Sequence, residues 1–120
     1  MAIVQINISE TIGSPICVAT SDGQKVHDLI AQNLRAGNRV VISFRGVERI
    51  ITAFLNTAIG QLYGEFKEDE IKSKLSVSAD AKPETLEKLV RVVSAAKLFF
   101  KDPKRFEAAK REGMGTEGND

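Results

Sequence analysis

The chain has 120 residues, 42% of them hydrophobic and 28% charged, and 17 Lys and Arg against 16 Asp and Glu give a formal net charge of +1. That suits one ordinary soluble domain, and so even a balance makes no electrostatic case for nucleic acid or an anionic membrane as the main partner. A single cysteine, Cys17, excludes an intramolecular disulfide and fits a cytoplasmic location.

Nothing in the chain approaches the length of an apolar membrane span. The start, MAIVQINISETIG, lacks the basic and long apolar regions of a signal peptide, so the expectation is a protein that stays in the cytoplasm. Residues 1–102 are expected to form the domain, and 103–120 a charged short helix and a disordered tail.

Residues Ala2 to Ile8 alternate apolar and polar and predict a strand. Thr11 to Pro15 breaks it, and Ile16 to Ala19 is a second short extended segment; the break is long enough for a hairpin. Cys17 lies in that apolar segment and reads as buried. A helix begins at Ser21-Asp22-Gly23, where Ser21 or Asp22 can cap it. Its apolar stripe is Val26, Leu29, Ile30 and Leu34, and it stops at Ala36-Gly37-Asn38. His27 lies on this helix with no cysteine or second histidine near it, a poor metal ligand.

Val40 to Phe44 is a β-branched apolar run and reads as a strand buried on both faces. Strand, helix and strand with short connections favour a parallel crossover. A polar loop, Arg45 to Arg49, leads to a helix from Thr52 to about Phe66 with Leu55, Ala58, Ile59 and Leu62 on one face. Thr52 reads as the N-cap, at a point where free amides and the helix dipole favour added negative charge. Gly60 lowers helix propensity and suggests a close packing contact. A short helical turn at Ile71 to Leu75 and a last strand at Leu75 to Ser78 follow. The Glu68-Asp69-Glu70 run reads as a solvated turn.

Lys82-Pro83-Glu84 opens a helix that runs to about Lys101. Leu86, Leu89, Val90, Val93, Ala96 and Phe100 form one face, and Val92, Ala95, Leu98 and Phe99 widen it. So broad an arc fits burial within the monomer or a second contact with another chain. The catalytic inventory is empty: no phosphate-binding glycine loop, no nucleophile elbow, and one histidine. No cofactor or metal site is expected, and the chain does not read as an enzyme.

The segment Phe44-Arg-Gly-Val-Glu-Arg-Ile-Ile-Thr-Ala-Phe-Leu-Asn-Thr-Ala-Ile-Gly60, with Gln-Leu-Tyr-Gly-Glu after it, resembles the STAS-like domains of unknown function found in bacteria and phages. Gly13-Ser-Pro-Ile-Cys-Val and Asp22-Gly-Gln-Lys-Val resemble them too, over roughly residues 10 to 100. The resemblance implies an α/β fold, a single domain with a mixed sheet and helices packed mainly on one face. It also implies the partner switching of anti-anti-sigma factors. There the unphosphorylated domain binds a GHKL-type ATPase or kinase, and phosphorylation of a serine at the start of the helix after the central strand separates the pair.

The usual Asp-Ser-Ser-Gly stretch falls on Ile51, Thr52, Ala53 and Phe54. The aspartate is missing, and the acceptor position is Ala53, which cannot be phosphorylated; Thr52 is the neighbouring hydroxyl. The expected interaction edge is Arg45, Gly46, Glu48, Arg49, Thr52, Ala53 and Asn56. A second reading makes the chain a small-molecule or nucleotide sensor that binds an anion at the helix N-terminus near Thr52. Self-association through Pro83–Lys101 is the further expectation.

Overall fold

A computed structural model describes residues 2–101; the expected short helix and tail at 103–120 lie outside them. Three strands, β1 (Ile3–Asn7), β3 (Arg39–Ser43) and β5 (Leu75–Val77), form a parallel sheet in the order β1-β3-β5. Two residues each from β2 (Ile16–Cys17) and β4 (Arg49–Ile50) form a second parallel pair. The helices are α1 (Ile8–Ile12), α2 (Thr20–Arg35), α3 (Thr52–Ala58), α4 (Glu68–Lys74) and α5 (Pro83–Lys101), with a 3-10 turn at Gly60–Gly64. This is the α/β architecture that the resemblance implies, except that the described strand pairs are all parallel where a mixed sheet was expected.

The register explains which side of the sheet is covered. Val4 pairs with Val40 and Ile6 with Ile42, while Leu75 and Val77 extend the same rows on the other side of β3. Paired residues share a face, so these six make one apolar surface. They pack with α2 residues Val26, Ile30 and Leu34 and with Phe54, Leu55 and Leu62 into one core. Each fully buried aliphatic or aromatic side chain there contributes roughly 1.5–3 kcal/mol.

The opposite rows run through Ile3, Gln5, Arg39 and Ser76, all exposed, then Val41 and Asn7, half-buried, and end at Ser43, which is buried. Ile3 is 73% exposed. The expectation that the central strand is buried on both faces is therefore corrected: Val40 and Ile42 are sealed, but the helices leave the other face open.

Several boundaries differ from the sequence reading, each for a local reason. The first strand ends at Asn7, because the Asn7 Oδ1 accepts the Glu10 amide at 2.9 Å and starts α1 there. The second extended segment makes no hairpin with the first; it pairs with β4 instead. Helix α2 starts at Thr20 with Ala19 as N-cap, ahead of Ser21 and Asp22, and no side chain caps it.

The helix expected from Thr52 to Phe66 breaks at Ile59, whose ψ of −45° comes with a φ of −121°, and continues as the 3-10 turn. Gly60 lies within that turn, where an added Cβ would stand 3.3 Å from Val92 Cγ1 of α5. The close contact expected at Gly60 is real. The short turn expected at Ile71 begins earlier, at Glu68, as a seven-residue helix. Helix α5 has the bounds that proline and the acidic first turn indicate. Its core face is Thr85, Leu89, Val92 and Ala96. Leu86 and Val90, expected on that face, point outward.

Candidate functional site

The expected interaction edge follows the C-terminal end of the central strand β3. Phe44 to Val47 form a tight turn closed by the Val47 amide on the Phe44 carbonyl at 3.0 Å. Gly46 takes the third position with φ +86°, a conformation that L side chains rarely adopt. The loop then returns along β2. Pro15 O accepts the Glu48 amide at 2.8 Å and the Arg49 amide at 3.3 Å, and Cys17 O accepts the Ile51 amide at 3.2 Å.

That last bond keeps Ile51 extended, at φ −113° and ψ 160°. Ile51 is therefore the N-cap of α3, and Thr52 is the first helical residue rather than the cap. No side chain caps this helix end. From behind, Lys88 of α5 donates its Nζ to the Ile50 carbonyl at 2.7 Å.

Burial alternates along the edge. Val47, Ile50, Phe54 and Leu55 are buried. Arg45, Gly46, Glu48, Arg49, Thr52, Ala53 and Asn56 are exposed. The apolar residues hold the segment on the core, and all seven expected edge residues lie on its outer side. Among the described residues the side chains of Glu48, Arg49, Thr52 and Asn56 make no hydrogen bond or ion pair. The tip of α3 is open beside Thr52.

Sequence reasoning missed the polar cluster that sets the loop. Ser43 is buried; its Oγ donates to Asp80 Oδ2 at 2.7 Å and accepts from Asn7 Nδ2 at 3.2 Å and the Arg45 amide at 3.3 Å. Asp80 Oδ1 accepts the Phe44 amide at 3.0 Å. The Ser43 hydroxyl foremost, with the Phe44 amide and Ser78 behind it, holds the Asp80 carboxyl below the usual carboxylate range despite some desolvation. On the other side, Asn7 Nδ2 and Ser9 Oγ both donate to the Arg45 carbonyl, at 3.1 and 3.0 Å.

Gln5, Asn7, Glu10, Ser43 and Arg45 line an open polar cleft of about 320 Å³ beside this cluster. One signal for it was present: Asn7 and Glu10 stand at the spacing of a helix-capping pair. Apolar alternation through Ile8 hid it. Nothing in sequence order joins Asp80 to Ser43.

His27 is buried on α2, with Nε2 2.8 Å from Glu65 Oε2 and Nδ1 3.0 Å from Asp28 Oδ1. Glu65 also holds Arg35 at 3.1 Å. This group ties α2 to the turn after α3 and lies apart from the edge. No described helix is long and apolar enough to cross a membrane.

A family model described as a STAS-like domain of unknown function matches residues 22–85. The match runs from the first turn of α2 to the first turn of α5 and takes in the whole edge from Arg45 to Asn56. Searches of curated proteins and of solved structures gave no match. With more than half of its residues under that model, the chain belongs to the STAS-like domain family of unknown function.

Proposed function

We propose that this chain is a non-enzymatic regulatory module that docks a protein partner through the edge from Arg45 to Asn56, in the manner of partner-switching anti-anti-sigma domains. The observation that carries the reading is the edge itself. Seven exposed residues ride on a backbone fixed by buried neighbours, and four of their polar side chains are uncommitted among the described residues. A partner meets a surface already in shape, which lowers the ordering cost of binding.

Arg45 and Arg49 suit carboxylates on that partner, since a guanidinium forks onto a carboxylate with two parallel hydrogen bonds. A GHKL-type ATPase or kinase is the partner class that the family likeness favours. Ala53 takes the place of the usual phosphoacceptor, so any switch by phosphate falls to Thr52. A phosphate there adds close to two negative charges beside the docking side chains. The chain also has a second surface, the outer side of α5, suited to self-association.

The docking reading is tested by pull-down from the native host with wild type, Arg49→Glu and Asn56→Arg as baits. A partner retained by wild type and lost with both variants supports it. Thr52→Glu should weaken the same complex at least tenfold in titration calorimetry. If everything captured binds all the baits equally, the edge is not the docking surface.

A further inference from the structure

The outer side of α5 carries Leu86, Val90 and Leu98, which are 41%, 63% and 54% exposed. With Ser94 between the last two, they follow one another every four residues. On a helix that spacing makes one continuous ridge, inclined to the axis. The core face of α5 is separately filled by Leu89, Val92 and Ala96. The ridge is therefore surplus to the packing of the described residues.

Charge on the flanks is divided by position. The acids Glu84 and Glu87 stand in the N-terminal half, Lys88 beside them is turned to the Ile50 carbonyl, and the bases Arg91, Lys97 and Lys101 follow. Such a helix complements itself when reversed. We infer that the ridge is covered by α5 of a second copy of this chain, running antiparallel about a two-fold axis midway between Val90 and Ser94.

That axis sets Leu86 across from the partner's Leu98, and Val90 across from the partner's Ser94, a small residue at the point of closest approach. It also sets Glu87 across from the partner's Lys97. Within one chain Glu87 reaches Arg91 only at 3.7 Å, with both side chains well exposed, and Lys97 reaches Glu68 at 3.4 Å. Exposed pairs of that kind hold their side chains weakly, so both are available to a closer partner. A parallel arrangement would set acid against acid and align the two helix dipoles unfavourably. An isologous contact of this type closes on itself as a dimer.

One helix pair buries less than the roughly 1,200 Å² at which stable interfaces begin, so the dimer should be a concentration-dependent equilibrium. This inference concerns α5 and stands independently of the docking edge.

Sedimentation equilibrium of the full chain should show a mass rising from 13.1 kDa toward twice that value with concentration. Val90→Glu should weaken the association at least tenfold while its circular dichroism melt stays close to wild type, because residue 90 lies outside the core. Glu87→Lys should weaken it too, and Glu87→Lys combined with Lys97→Glu should restore it. Equimolar Leu86→Cys and Leu98→Cys, mixed in a glutathione buffer, should form the mixed disulfide in preference to either symmetric one. A mass fixed at that of the monomer at every concentration overturns the proposal. So does a dimer indifferent to Val90→Glu, or a preference for the symmetric disulfides.

Discussion

At the scale of single residues, Cys17 and Asp80 show how position sets chemistry. Burial, helped by the nearby Asp22 charge, raises the Cys17 thiol to about 11. The reactive species is the thiolate, so only roughly one part in ten thousand is nucleophilic at neutral pH. Cys17 should resist iodoacetamide in the folded protein and label only through the small open population, which mass spectrometry over time will read. Rapid labelling under native conditions would contradict the burial of Cys17 in β2.

Asp80 works in the opposite direction. Its carboxyl lies below the ordinary value of about 3.9 when folded and returns to that value when unfolded. On acidification the unfolded chain takes up this proton first. The group's contribution is therefore complete above about pH 4 and fades as pH falls through the lower folded value. Thermal melts between about pH 5 and about pH 3 should fall more steeply for wild type than for Asp80→Asn. Parallel slopes would mean that the Ser43–Asp80 bond does not govern acid stability.

Among the elements, the crossing of α2 and α3 is a close contact behind the edge. A Cβ on Gly23 would stand 3.0 Å from the Phe54 carbonyl oxygen and 3.2 Å from Thr57 Cβ. The nearest atom is backbone, and Phe54 is completely buried, so it has little room to yield. Overpacking of this kind costs about 1–3 kcal/mol, against about 1 kcal/mol gained by replacing a helical glycine with alanine. Gly23→Ala should therefore lower the urea midpoint, with the slope of the transition unchanged. A higher midpoint would show that α3 can move away.

The long elements were legible because their periods are long enough to read. Val26, Ile30 and Leu34 mark α2, and Pro83 with Glu84 marks the start of α5. The two-residue strands β2 and β4 have no period at all. The 3-10 turn was hidden for a different reason: Ile59 and Leu62 are three apart, a spacing that an α-helix and a 3-10 helix both accept. Exposure of the edge residues followed from loop polarity. The cluster that shapes the loop did not, since it joins Asn7, Ser43 and Asp80 from three distant segments.

For the molecule as a whole, the family likeness and the register together explain the one-sided sheet. Apolar rows from β1, β3 and β5 supply one face to the core, and polar or lone apolar residues fill the other. Among the described residues three surfaces are left over: the edge at Arg45 to Asn56, the ridge on α5, and the open face of the sheet. The edge and the ridge share a scaffold, because Lys88 of α5 holds the Ile50 carbonyl at the root of the edge.

The parallel pairings also govern the order in which the protein can assemble. Each strand is bonded to one far away in the chain: Ile3 to Arg39, Ile16 to Arg49 and Val40 to Leu75. Among the described strands no hairpin offers a cheap local nucleus, and distant pairings must meet their loop-closure cost before any bond rewards it. On the ribosome, β1 emerges ahead of its partner and must wait, unpaired, until Arg39–Ser43 has been made. The sheet closes only after Leu75–Val77 has followed.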